Sequence, residues 1–434
     1  MLRLLVPLLL LLSPPAPGTV LLAAAYGRPP SKPIVTPVAK DPLTSLYSIP
    51  IKDGAPLVLD LAGPLVWSTC QPSHATIPCK SSVCKLASSY RPPGCTNSRN
   101  GGRPGPGSSS ADGDCTCTAY PYNPASGQCG VGDVTAVALS ANATDGKNPL
   151  FPVSFSTYAS CAPDGLLASL PSGAAGVAGL SRLPLSLPSQ VASSLGVSKQ
   201  FALCITGARG GGAAIFGGGP FQLMARHELA EGLRKNALPL LQNPSNAGAY
   251  YLRVQGIAIG EAAVTGIPPG AFDLDVRRGT GGVTLSTVAP YTTLRADIYA
   301  PLREAFAAAT SGVPRAPPVE PFEMCYPASA FGATRLGPAV AYIDLMLDGG
   351  RNWTLPGASS LVQVDDQTLC FAFLEMDRSA AAVVPGSPAV IVGGFQMEEN
   401  LLVFDPEKST FGFSGLLFGI ETTCGNFNFT VGSS

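Results

Sequence analysis

Asp60 closes an apolar run and is followed by a turn and a second apolar run, PLVLDLAGPLVWSTC, from Pro56 to Cys70. A carboxyl group at the hinge between a buried strand and a turn is suited to general acid or base work. Two such groups sharing one proton do it best, because repulsion at about 3 Å splits their pKa values into one acid and one base. A similar passage from apolar strand to polar turn, GVTLSTV, occurs at residues 282–288, and its turn carries Ser286. One passage falls early in each half, which suggests two repeats of a common lobe facing each other across a cleft. A serine hydroxyl does not ionise near neutral or mildly acidic pH, so it offers Asp60 no proton to share. Asp273 and Asp275, in AFDLDVRRG upstream of Ser286, are read as solvated loop or strand residues, because a dyad needs sub-ångström placement.

Other chemistries find little support. His74 and His227 are the chain's two histidines, and no nucleophile-elbow motif accompanies either. Both are read as exposed, polar and structurally idle. The doublet Cys115-Thr-Cys117 has the look of a metal ligand pair. With so few histidines and an oxidising compartment it reads as part of a disulfide framework, and no metal or cofactor is expected.

The elements that would position Asp60 are mostly strands. Segments such as APLVLDL, DVTAVALSA, FPVSFSTYA, GAAIFGG, YYLRVQGIAI, AYIDLMLD, AVIVGG and NLLVFDPEKSTFGFS are rich in β-branched and aromatic residues, and most are bounded by Gly, Pro or Asn. PLSLPSQVASSLG and RADIYAPLREAFAAATSG show helical apolar spacing and end at glycine. The stretch from Tyr90 to Gly113 reads as a stapled loop, and Pro239 to Ala249 as the boundary between halves. The 49 glycines and 43 prolines are spread along the chain and mark turns between short strands.

The 27 basic and 28 acidic residues nearly cancel, and no basic run appears. Binding to nucleic acid or to an acidic membrane surface is therefore not expected, since both need clustered positive charge. Arg3 precedes the apolar stretch Leu4 to Leu12, and small residues follow at Ala23 to Ala25. Residues 1–25 thus read as a secretory signal peptide, and prolines at 14, 15 and 17 stop the stretch short of a membrane span. The mature chain is expected to be soluble and secreted. Twelve cysteines in an exported chain predict six disulfides: Cys70, Cys79, Cys84, Cys95, Cys115, Cys117, Cys129, Cys161, Cys204, Cys325, Cys370 and Cys424. Asn142, Asn352 and Asn428 begin acceptor sequons for N-glycosylation.

Several segments together carry a family resemblance. LVLDLAGPLVW resembles the strand-turn of pepsin-like aspartic proteases, in which Asp-Thr-Gly precedes a tryptophan; Asp60 and Trp67 keep that spacing. GVAGLSRLPLSLPSQ, FALCITGARGGGAAIFGGGP, YYLRVQGIAIG and AVIVGGFQMEENLLVFDPEKSTFGFS are similar to the plant branch of that family. CYPASAFGATRLG and TTCGNFNFT point to the branch of cereal xylanase inhibitors, extracellular dermal glycoproteins and basic globulins. The resemblance implies a mainly β, bilobal pepsin-like fold with a central cleft and a few short helices, with lobes at 26–238 and 239–434. It also implies pairing of Cys325 with Cys370 and of Cys204 with Cys424.

Against that family the site is degenerate. Leu61, Ala62 and Gly63 replace the residues that follow the first aspartate, and Ser286 replaces the second. The expectation is no proteolysis, with Asp60 a remnant. The branch inhibits microbial cell-wall glycoside hydrolases, which implies a secreted hydrolase as protein partner, an extracellular location in apoplast or cell wall, and a monomer. Its relatives present a histidine or an arginine in the loop before the last cysteine. Here that loop, GLLFGIETTC (415–424), has neither, and Glu421 aligns with the arginine. Candidate partner-binding residues are Leu416, Leu417, Phe418 and Glu421, with Tyr291 and Leu294 on the edge from Ala289 to Arg295; the apolar members would alternatively pack in the core. An extracellular binding protein that inhibits nothing, and an active aspartic endopeptidase, are the competing readings.

Overall fold

The computed structural model describes residues 32–92, 115–145, 150–207, 211–219, 229–376 and 386–427, and these belong to one compact unit. The proposed signal peptide, Cys95, His227 and Asn428 lie outside the described residues.

Asp60 ends the strand Ala55–Asp60, in which Leu57, Val58 and Leu59 are all fully buried. An apolar run without alternation suits a strand covered on both faces. This one pairs with Tyr47–Lys52 on one side and runs parallel to Gly176–Gly179 on the other. Gly176–Gly179 in turn pairs antiparallel with Val66–Ser68, so it lies between the strand before the Asp60 turn and the strand after it.

The second half repeats this arrangement. Val390–Val392 lies parallel to Val283–Leu285 and antiparallel to Thr292–Leu294, which flank the Ser286 turn. In both units the crossing strand passes its turn at a glycine. A Cβ on Gly179 would come within 2.5 Å of the Leu65 carbonyl oxygen, and one on Gly393 within 2.4 Å of the Tyr291 oxygen. Only a residue without a side chain permits that approach. Leu65 and Tyr291 are related by the same 226-residue spacing that relates Leu61 to Thr287 and Asp60 to Ser286.

Among the described residues the largest sheet has 13 strands and draws on both halves of the sequence. Leu401–Asp405 pairs with Phe201–Cys204, and Thr410–Phe413 pairs with Leu238–Pro239. The cross-strand rings of Phe201 and Phe404 stack at 4.7 Å, with Tyr250 tilted against Phe404 at 4.8 Å. Within the stretch Pro239 to Ala249, Asn243 is buried and donates to the Tyr251 hydroxyl and the Gly279 carbonyl.

Both sequence-read helices are present. Leu187–Leu195 ends at Gly196 in the left-handed conformation, φ 68°. Ala296–Ala309 ends at Thr310, ahead of the glycine. Ser82–Ser89, which periodicity did not reveal, starts at Ser81, whose hydroxyl accepts from the Cys84 amide. Disulfides join Cys70–Cys161, Cys79–Cys115, Cys84–Cys117, Cys204–Cys424 and Cys325–Cys370, and Cys129 is also disulfide-bonded. No helix among the described residues is long and apolar enough to cross a membrane.

Candidate functional site

The two turns meet through a threonine. Thr287 donates its hydroxyl to the Leu59 carbonyl at 2.6 Å and accepts from the Leu61 amide at 3.3 Å. These bonds tie the Ser286 turn to the Asp60 turn. The reciprocal bonds would need a hydroxyl at Leu61, which is apolar and fully buried. The tie therefore runs in one direction only.

Within its turn, Asp60 Oδ1 accepts from the Ala62 amide at 2.9 Å. The residue is 6% exposed. Burial pushes its carboxyl up to about 6, against the opposing pull of the Ala62 and Gly63 amides. Ser286 fills the matching place: its Oγ accepts from the amides of Val288 at 3.3 Å and Ala289 at 3.2 Å. The serine thus stabilises its own turn through two amide hydrogen bonds and brings no charge to it. Among the described residues no second carboxylate bonds to Asp60. Asp275 instead accepts from the amides of Arg277 and Arg278 in an exposed hairpin, and Asp273 precedes it there.

Two phenols lie within reach of the charge of Asp60. Burial raises the pKa of Tyr90 and of Tyr122, and the charge of Asp60 raises both further. Trp67 helps position the second of them, since its indole N–H donates to the Tyr122 carbonyl at 2.9 Å. The Asp60–Trp67 spacing is legible in the sequence, but neither tyrosine is, because Tyr90 borders the stapled loop and Tyr122 lies among the cysteines.

His74 is not idle. One ring nitrogen lies 2.7 Å from the Gln71 carbonyl and the other 2.8 Å from Asp133 Oδ2. Burial lowers its pKa, but those two acceptors outweigh it, and the net shift is upward. Both partners accept, so only the imidazolium satisfies both nitrogens. Cys70, His74 and Cys161 cluster like metal ligands, but the two sulfurs are bonded to each other and offer no thiolate.

The structure sorts the partner-binding candidates. Leu417 is fully buried against the Cys204–Cys424 region, and Leu294 lies in the core strand Thr292–Leu294. Neither is a surface residue, which corrects the reading of both as contact residues. Tyr291 is half-buried, edge-on to Phe322 at 4.8 Å. Leu416 and Phe418 are half-buried, and Glu421 is exposed. Glu421 accepts from Arg335 at 2.8 Å, with both side chains more than half exposed. Arg335 comes from the neighbouring hairpin, whose Leu336 packs near Gly419.

Two strand–turn–strand units, each crossed by a third strand at a glycine, place the chain in the bilobal pepsin-like class, with aspartate in one turn and serine in the other. Solved structures agree. One titled "Crystal structure of edgp" superposes with TM-score 0.76 at 30% identity, over 92% of this chain and 98% of that one. Basic 7S globulin from soybean gives TM-score 0.70 at 27% identity, over 92% and 99%. Residues 47–218 match the family description "Xylanase inhibitor N-terminal" and residues 249–415 match "Xylanase inhibitor C-terminal". The chain belongs to this family.

Its relatives carry varied names. A protein of Oryza sativa subsp. japonica named Chitinase CLP is 47% identical over 92% of each chain. Gamma conglutin 1 of Prunus dulcis is 33% identical over 92% of this chain and 90% of its own. A Nicotiana benthamiana protein named Probable aspartic proteinase GIP2 is 33% identical over 92% of each.

Proposed function

We propose that this chain is a secreted, catalytically inert, monomeric member of the family that inhibits microbial cell-wall glycoside hydrolases, endoxylanases or endoglucanases, in plant defence. The observation that carries the reading is the pairing of Asp60 with a turn built on Ser286. With one carboxyl there is no shared proton and no acid–base pair to activate a water on a peptide bond. Loss of one member of such a unit removes about as much rate as loss of all.

Inhibition requires an edge that enters a hydrolase cleft and faces its two catalytic carboxylates. Glu421 alone would repel them by roughly 1–4 kcal/mol at about 4 Å. Arg335 supplies the missing cation at the same edge, and target carboxylates would compete with Glu421 for it. The experiment titrates the pure protein against fungal xylanases and endoglucanases, alongside a casein assay at acid pH. Inhibition weakened about tenfold or more by Arg335→Ala, with no proteolysis, supports the reading. Silence across the panel favours a binding protein of the same fold, and proteolysis abolished by Asp60→Ala favours an endopeptidase.

The rice relative motivates a second reading, hydrolysis of chitin. A carboxyl that stays protonated up to about pH 6 suits a general acid, and that is where Asp60 stands. Chitin's N-acetyl group can replace the second carboxylate in substrate-assisted hydrolysis. Release of chitin oligosaccharides that disappears in Asp60→Asn would establish it.

A further inference from the structure

The sequons at Asn142 and Asn352 sit in different surroundings. Asn352 belongs to Arg351–Leu355, the edge strand of a four-stranded sheet with Ile343–Leu347, Val254–Ile259 and Ala262–Ala263. The strand alternates strictly: Trp353 and Leu355 are buried, while Asn352 is exposed and Thr354 half-exposed. Trp353 stacks on Phe413 at 4.8 Å, which pins the register and keeps Asn352 on the outer face. Across the strand pair Asn352 faces Met346. Beside Met346 the surface opens into a groove of about 510 Å³, also lined by Gln255, Val264 and Asp348. A sugar attached at Asn352 therefore meets open space.

Asn142 differs on each count. It lies near the end of Gly132–Ala143, where that strand is paired on both sides, with Asn142 opposite Val35 on one and Pro152 on the other. Val35 is fully buried, Asn142 is half-buried, and the sequon's Thr144 is 3% exposed. A glycan is added as the chain emerges, so the folded protein must accommodate it. The Asn352 position does so at no cost in packing.

We propose that Asn352 carries an N-linked glycan and that Asn142 stays unmodified; this rests on the export assumed in the proposed function. The glycan would also cover a sheet edge that no further strand among the described residues pairs with, a place where chains otherwise pair with one another.

The test expresses the full chain in plant cells and maps peptides of the protein recovered from the medium after enzymatic removal of N-glycans, which converts an occupied asparagine to aspartate. Conversion at Asn352 but not at Asn142, with Asn352→Gln secreted lighter by one glycan, supports the proposal. Secreted protein with Asn352 unconverted, or with Asn142 converted in its place, overturns it. A chain that never reaches the medium overturns the export reading and this inference together, so the two failures are distinguishable.

Discussion

A lone buried carboxyl is a burden at neutral pH, and Asp60 shows how that burden is signed. Its pKa rises from 3.8 in the unfolded chain to about 6, because burial disfavours the charged form. Between those values the folded state holds a proton that the unfolded state has released. The favourable contribution is complete below about pH 4 and is lost as pH rises through about 6. Two pKa units correspond to roughly 3 kcal/mol. Asp60→Asn removes the ionisation and keeps an oxygen for the Ala62 amide. It should stabilise the protein at pH 7.5 by about 1–3 kcal/mol, with the gain shrinking to nothing near pH 4. Urea midpoints at the two pH values measure this, and a loss of stability at pH 7.5 would show that the charged form is held by partners other than the two turn amides.

At the scale of elements, the one-sided threonine tie holds two turns that come from opposite halves of the sequence. Thr287 is 1% exposed, so replacing it with valine leaves the Leu61 amide and the Leu59 carbonyl buried without their partner. Unfulfilled buried groups cost about 1–3 kcal/mol each. Thr287→Val should therefore lower the unfolding free energy measured in urea by about 2–6 kcal/mol, while Thr287→Ser stays near the parent; equal values for valine and serine would refute the tie. The turn itself was legible in sequence, because a continuous apolar run marks a strand buried on both faces and the same pattern recurs at Ser286. The helix Ser82–Ser89 was not, since its buried positions, Cys84 and Ala87, are few and one is a disulfide partner. For Leu417 the sequence leaves contact and core packing both open, because GLLFGI has no period to say which residue points inward; the Cys204–Cys424 bridge decides it for the core. His74 looked idle because its partner Asp133 lies 59 residues away. Arg335 and Glu421 are 86 residues apart, and no local pattern links them.

Across the whole molecule, the chain closes on itself at its C-terminal end. Leu401–Asp405 enters the large sheet beside Phe201–Cys204, with Leu401 opposite Cys204 in the register. Glu398, just before that strand, receives Lys40 at 2.7 Å and the Tyr47 hydroxyl at 2.6 Å from the first strands of the described chain. Glu399 then accepts from the Cys424 amide at 2.8 Å, and its own carbonyl accepts from Leu417. The Cys204–Cys424 bridge locks this junction across 220 residues of sequence. Loop-closure entropy for a bridge of that span is worth about 5 kcal/mol in the chain-entropy model, and the Cys325–Cys370 bridge within the span reduces it. The double variant Cys204→Ser with Cys424→Ser should therefore lose roughly 2–5 kcal/mol in urea unfolding. The same change frees the 415–424 segment from its anchor while leaving Arg335 in its hairpin. Limited proteolysis should then cut first within that segment, ahead of any site in the 13-stranded sheet. First cleavage elsewhere, with an unchanged urea midpoint, would mean that the closing strands hold the C-terminal edge without the bridge.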